Sequence, residues 1–239
     1  VQQVVRRPRL SVHSKFVLYT TAALLVIGTV SFYALERNGL FSDMSAGGAW
    51  LNSFFASVTA RTAGFNSVDY SMMSGAALLC TMVLMFIGGS PGSASGGVKT
   101  STFGVLVAYS ISRWMGHRHL NIFGRTVPQL SIDRAAGVVI SAVALLIIVA
   151  SVLMAIETYY LTSQESQRHF LSLTFESISA FGTVGLSMGE TNNIGTPSKF
   201  VLAVVMFLGR IGPLTLALAI SPKKADRQFR SPEENIMVG

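Results

Sequence analysis

Charge is scarce in this chain: of its 239 residues only 12% are charged, where a soluble domain carries about 25%. Half of the residues are hydrophobic and the mean hydropathy is +0.53. That excludes a disordered chain, a collagen-like repeat and a polar nucleic-acid-binding tail, and it fits an ordinary cytosolic enzyme poorly. Cysteine is nearly missing. A single Cys cannot form an internal disulfide, and Cys80 lies inside an apolar run, where it reads as a small buried residue. Acid is scarcer than base, with 11 Asp+Glu against 18 Lys+Arg and a net charge of +7. Such an excess suits nucleic acid or the cytoplasmic loops of a membrane protein, and the placement of the charges decides between them. A secretory signal is also lacking, because the first apolar run is too long for one and no small-residue cleavage site follows. The chain begins with Val, which points to a processed or truncated N-terminus.

The apolar residues come in long runs. Phe16–Leu35 holds no charge and is long enough at 1.5 Å per residue to cross a hydrocarbon core of about 30 Å. Ser71–Gly88 is uncharged, and Ser101–Ile111 resumes the apolar pattern after a Gly/Ser interruption. Ala135–Ile156 is uncharged, and Phe200–Ile220 carries only Arg210 near its centre. Four crossings follow, the second broken in its middle. Arg6, Arg7, Arg9 and Lys15, then Arg113, Arg118, Arg125 and Arg134, then Lys223, Lys224, Arg227 and Arg230 all fall on one side of such a topology. Glu36, Asp43, Asp69, Glu157, Glu165 and Glu190 fall on the other. The positive-inside rule then puts both termini in the cytoplasm of a multi-pass cell-membrane protein. It also accounts for the basic excess without nucleic acid.

The two halves repeat. Phe55-Ala-Ser-Val-Thr-Ala60 is followed by Arg61 and Thr62-Ala-Gly-Phe65. About 120 residues later Phe175-Glu-Ser-Ile-Ser-Ala180 is followed by Phe181-Gly182 and Thr183-Val-Gly-Leu186, with one residue more between the words. Each copy lies between two spans, on the outer side, as repeats in membrane transport proteins do. The segments Ala46–Ala60 and Gln167–Phe181 are too short or too polar to cross alone. They read as re-entrant helices, the alternative being helices lying on the outer surface. Gly64 and Gly185 permit the backbone angles of an extended strip with carbonyls facing inward, and rings of such carbonyls replace the hydration shell of a potassium ion.

Three stretches carry a family resemblance: Arg61-Thr-Ala-Gly-Phe65, Ile87-Gly-Gly-Ser-Pro-Gly-Ser-Ala-Ser-Gly-Gly-Val-Lys-Thr100 and Leu208-Gly-Arg-Ile-Gly-Pro213. Together they resemble the Trk/Ktr/HKT family of potassium transport proteins. Ser231-Pro-Glu-Glu-Asn-Ile-Met-Val-Gly239 is most similar to the end of the Ktr membrane subunit. The resemblance implies potassium uptake through a channel-like path, with potassium as substrate, sodium as a candidate activator and no organic cofactor in this chain. Members of the family have four span–short helix–span repeats around one pore. This chain has two, matching the third and fourth by motif order, so it is expected to be the C-terminal half of a longer subunit or to pair with a second copy. The implied working unit is a homodimer on a cytoplasmic ring of nucleotide-binding regulatory subunits.

In that frame Thr62, Ala63, Gly64 and Phe65, with Thr183, Val184, Gly185 and Leu186, are two of four filter strips, binding potassium through backbone carbonyls only. The loop Gly88, Gly89, Ser90, Pro91, Gly92, Ser93, Ala94, Ser95, Gly96 and Gly97 is too rich in Gly and Pro for a helix. At membrane depth it must lie against protein or water, and the resemblance makes it a gate. The plainer alternative is a cytoplasmic hairpin between two shorter helices. Arg210, too deep to snorkel easily, meets that loop by resemblance, as a gate charge or as a structural donor. Lys99 is a gate residue or an interfacial anchor. Arg61 is expected to brace the first strip, with Glu176 as a candidate partner.

Gly92-Ser-Ala-Ser-Gly-Gly97-Val-Lys-Thr100 nearly matches a phosphate-binding loop, but Val98 puts Lys99 out of register and no strand precedes it. Ser93 or Ser95 as the nucleophile of an intramembrane hydrolase would need a base, and His13, His117, His119 and His169 all lie outside the apolar spans. His117 and His119 read as solvated residues rather than metal ligands. The expected architecture is all-α membrane: a basic segment over 1–15, a pore repeat with the gate loop over 16–112, a basic linker over 113–131, a second repeat over 132–221 and a tail over 222–239. A non-conducting scaffold subunit is the alternative of a different class.

Overall fold

A computed structural model of the chain describes residues 11–159 and 163–212. The basic residues before 11, the end of the predicted fourth span after 212 and the tail over 222–239 lie outside the described residues.

Helix α1 (Val12–Glu36) starts at Ser11, whose hydroxyl accepts the Ser14 amide at 3.1 Å. Helix α2 (Ala46–Thr59) starts at Ser45 in the same way, accepting from Gly48 at 3.2 Å. Helix α3 (Gly75–Phe86) starts at Ser74, accepting from Ala77 at 3.3 Å. Serine at these positions satisfies an amide that the helix itself leaves open. Helix α4 covers Thr100–Trp114, α5 covers Gln129–Glu157, α6 covers Ser163–Gly182 and α7 covers Thr196–Ile211, with Pro197 in its first turn. Proline suits that place because its missing N–H would go unused there. Single 3-10 turns lie at Tyr70–Met72 and Glu190–Asn192.

The element order therefore repeats: long helix, shorter helix, non-helical strip, 3-10 turn, helix. Among the described residues, helices α1 and α5 are long and apolar enough to cross a membrane, and only 22% and 17% of their most apolar stretches are buried within the chain. An apolar helix that its own protein leaves uncovered is suited to a hydrocarbon surrounding. At 14 residues, α2 is about 21 Å long, short of a full crossing.

Both repeats are closed by the same device, which the linear reading did not anticipate. Glu36 is 1% exposed at the end of α1 and accepts the Ser74 amide, at the start of α3, at 2.8 Å. Glu157 ends α5 and accepts the Gly195 amide, at the start of α7, at 2.9 Å. A carboxylate at a helix N-terminus meets an unsatisfied amide and the positive end of the helix dipole. Each repeat's first and last helices are thereby tied at one end, in both cases between residues 38 apart in the chain.

Several boundaries differ from the sequence reading. The second span begins later than Ser71, because a 3-10 turn and the Ser74 cap come first. Helix α5 starts at Gln129, inside the expected linker over 113–131. The rest of that linker holds a small exception to the all-α expectation, a hairpin of β1 (Asn121–Ile122) and β2 (Arg125–Thr126). Its two central residues, Phe123 and Gly124, have φ of 49° and 75°, the left-handed pair that suits a two-residue hairpin turn. Helix α7 ends at Ile211, where Gly212 has φ 89°.

The glycine loop does break the helix. Helix α3 ends at Phe86, and Ile87 bridges Val98 in parallel. The chain thus runs in the same sense before and after the loop. A plain hairpin would reverse it. The joint is held by the Val98 amide on the Phe86 carbonyl at 3.0 Å and the Thr100 amide on the Gly89 carbonyl at 3.1 Å.

Candidate functional site

The two strips leave the C-terminal ends of α2 and α6 with a shared backbone pattern. Thr62 and Gly64 have φ of 74° and 74°, and Thr183 and Gly185 have φ of 50° and 95°. The residue between and the residue after, Ala63 and Phe65 or Val184 and Leu186, are not in that region. Both strips thus leave their helices through the same alternation of backbone hand.

Each strip is anchored to its own helix at both ends. At the start, the Ala63 and Gly64 amides donate to the Thr59 carbonyl, both at 3.2 Å, and the Val184 amide donates to the Ser179 carbonyl at 2.9 Å. At the finish, the Thr59 hydroxyl donates to the Phe65 carbonyl at 2.7 Å and the Ser179 hydroxyl to the Leu186 carbonyl at 2.6 Å. The [Thr/Ser] position of the repeated word is therefore the strip's fastener, a role that the word alone did not disclose. The strips also meet each other. A Cβ on Gly64 would overlap the Val184 carbonyl oxygen, and Gly64 Cα lies 3.6 Å from where a Cβ on Gly185 would stand.

The glycine loop sits against the second strip. The Gly96 amide donates to the Thr183 hydroxyl at 2.9 Å, and a Cβ at Gly96 would come within 2.8 Å of the Phe181 carbonyl oxygen. Gly88, Ser95, Gly96 and Gly97 are buried, while Gly92, Ser93 and Ala94 form an exposed tip. Loop hydroxyls bond within the loop: Ser95 accepts the Gly89 amide at 3.0 Å, and Ser93 donates to the Ser90 carbonyl at 2.7 Å.

Of the two expected gate cations, Lys99 is the one hydrogen-bonded to the loop, from its Nζ to the Ser95 carbonyl at 2.5 Å. Arg210 lies in the last turn of α7 and is exposed in this chain. The suspected Arg61–Glu176 pair is not formed. Arg61 reaches the Thr21 carbonyl and the Gly88 carbonyl, each at 3.5 Å, bridging the first strip to α1 and to the loop. The Glu176 carboxylate faces the segment after the second strip instead. Among the described residues no group of three or more His, Cys, Asp or Glu is placed to hold a metal ion.

The described residues thus hold two helical repeats closed by matching carboxylates, with two glycine-containing strips that meet and an interrupted helix packed on one of them. The family model for TrkH, described as a cation transport protein, matches residues 2–230. The chain is 39% identical over 242 residues to the potassium/sodium uptake protein NtpJ of Enterococcus hirae, covering 98% of this chain and 51% of that protein. It is 38% identical to the Ktr system potassium uptake protein B of Vibrio alginolyticus, covering 96% of this chain and 49% of that one. The crystal structure of the potassium transporter TrkH from Vibrio parahaemolyticus shares the fold, with a TM-score of 0.64 at 20% identity over 88% of this chain and 44% of that one. The chain belongs to the TrkH family, multi-pass membrane proteins that transport ions and are not enzymes. It spans about half the length of the curated relatives it matches.

Proposed function

We propose that this chain supplies half of a potassium-selective permeation path. Thr62–Phe65 and Thr183–Leu186 serve as two of four filter strips. The observation that carries the reading is the alternation of left-handed residues along both strips, together with their meeting at Gly64 and Val184. The partial negative ends of α2 and α6 point toward the same place, which favours a cation there. Potassium uptake by two relatives supports the choice of ion. The name of the first joins sodium to it, and sodium as an activator is part of the proposal. The other two strips come from the rest of a longer subunit or from a second copy. A homodimer on a cytoplasmic nucleotide-binding ring, with both termini cytoplasmic, completes the proposed assembly.

The loop Gly88–Gly97 is the gate below the strips, with Lys99 bound to it and Arg210 as a second positive charge beside it. The parallel bridge across the loop supports a broken span rather than a hairpin. The direct test is potassium against sodium flux in liposomes carrying the full gene product. Potassium-selective uptake is the expected result. An intact, folded protein without flux sinks the proposal in favour of a non-conducting scaffold.

The gate has its own test. Removing the exposed tip Gly92–Ala94 spares Gly96 and its bond to Thr183. It is expected to raise potassium flux severalfold and leave the potassium-to-sodium ratio unchanged. Thr183→Val, which removes that bond, is expected to change both. A tip deletion without effect on flux ends the gate assignment.

A further inference from the structure

The two strips are not held equally. Glu176 lies in α6, is 5% exposed and meets no cation among the described residues. Its Oε1 accepts the Ser187 hydroxyl and, at 3.3 Å, the Met188 amide. Its Oε2 accepts the Thr191 hydroxyl at 2.7 Å. All three donors lie within five residues of the end of the second strip. Burying a carboxylate is costly unless its lone pairs are satisfied, and bonds to a charged acceptor are the stronger kind. This carboxylate therefore fixes the segment it faces.

Glu176 is the middle of three ties. Below it Ser179 holds the Leu186 carbonyl. Above it His169 Nδ1 pairs with Glu190 Oε1 at 3.0 Å. Residues 169, 176 and 179 share one face of α6, at the three- and seven-residue spacing that aligns side chains along a helix. The repeated words align Ser179 with Thr59, Glu176 with Ala56 and His169 with Ala49. In the first repeat only the lowest tie remains, from Thr59 to Phe65. Ala56 and Ala49 offer no polar group, and Asp69 spends its carboxylate on its own Ser71. Accordingly Phe65 is 71% exposed and Leu186 is 1% exposed.

We infer that Glu176 is a positioning residue that makes the second strip the fixed wall of the path, against which the more loosely held first strip adjusts. The inference rests on the filter reading above. It assigns ion discrimination mainly to carbonyls kept in place by a buried side chain that never touches the ion. The hydrogen-bonding capacity of Glu176 is what acts, so its amide isostere should serve. In Glu176→Gln the amide oxygen still accepts from Ser187 and Met188, and the amide NH2 can donate to the Thr191 hydroxyl.

The test compares Glu176→Ala, Glu176→Gln and Gly185→Ser in the full gene product, reconstituted in liposomes, with potassium and sodium permeation and melting temperature measured. Glu176→Ala is expected to lower the potassium-to-sodium ratio about tenfold, the effect of one or two lost hydrogen bonds on ion discrimination, with potassium flux kept within a few fold. Glu176→Gln is expected to hold the ratio within about twofold. If Glu176→Ala does not assemble, Ser187→Ala with Thr191→Val removes the same bonds and is expected to lower the ratio at least threefold. A native ratio in Glu176→Ala, or in that double variant, while Gly185→Ser relaxes it, overturns the inference and leaves the filter. Equal loss in Glu176→Gln and Glu176→Ala overturns it too, because charge and not the tie would then be acting. A native ratio in all variants, Gly185→Ser included, removes the filter reading and this inference with it.

Discussion

Gly64→Ser is expected to lower potassium-over-sodium selectivity by about a hundredfold and Gly185→Ser by about tenfold, at about 1.4 kcal/mol per decade. Both glycines hold φ values, 74° and 95°, that cost an L residue roughly 1–2 kcal/mol. That strain is common to the two. The surroundings are not. A Cβ at Gly64 would overlap the Val184 carbonyl oxygen of the other strip, whereas one at Gly185 would find Gly64 Cα at an ordinary 3.6 Å. Overpacking adds roughly 1–3 kcal/mol, so the first substitution disturbs two strips and the second only its own. The sequence words treat these glycines as equivalent, and the ordering comes from the tertiary contact alone. Ion-flux ratios in liposomes check it. A larger effect at Gly185 than at Gly64 sinks the strip-to-strip contact, and no effect at either sinks the filter.

The second large effect is expected from Gly209→Ala, which should lower the melting temperature by about 2–4 °C for each kcal/mol lost in a chain of this size. Propensity argues the other way, since Ala in a helix interior is favoured over Gly by about 1 kcal/mol. The packing opposes it. A Cβ at Gly209 would overlap the Phe181 carbonyl oxygen and stand 2.8 Å from the carbonyl carbon. Those are backbone atoms at the end of α6, just before the second strip, and they cannot turn aside as a flexible side chain can. Helix α7 must then move off α6, a cost larger than the propensity gain. The neighbouring Arg210 moves with it, so altered gating is expected alongside the lost stability. Thermal unfolding in detergent measures the sign directly. An unchanged or raised melting temperature means that α7 does not rest on α6 through Gly209.

Much of this architecture is local and legible in the residues. Uncharged runs such as Ala135–Ile156 locate α5. The words ending in Thr62-Ala-Gly-Phe65 and Thr183-Val-Gly-Leu186 place both strips, because only glycine takes a left-handed angle without cost. Five glycines and a proline between Gly88 and Gly97 require a break in the helix, and it is there. The expected all-α class fits a fold whose strands are limited to one small hairpin of two residues a side among the described residues.

What the residues do not disclose is direction: which way a polar side chain turns once the helices are packed. Glu36 and Glu157 read as outer-side charges, yet each closes a repeat on an amide far along the chain. Charge alone pairs Glu176 with Arg61. The structure turns it toward Ser187, Met188 and Thr191, because three donors from one adjacent loop satisfy a buried carboxylate better than a cation already committed to the carbonyls of Thr21 and Gly88. Arg210 reads as the deep charge and Lys99 as a gate residue or an interfacial anchor, yet it is Lys99 that the folded loop meets with a hydrogen bond, at the Ser95 carbonyl. Composition and periodicity by themselves located the two long apolar helices, the repeat and the two glycine-containing strips, since those depend on what neighbours in sequence can do. The tertiary structure alone decided which strip is firmly held and which glycine bears a neighbour's backbone, since those depend on atoms that only folding brings together.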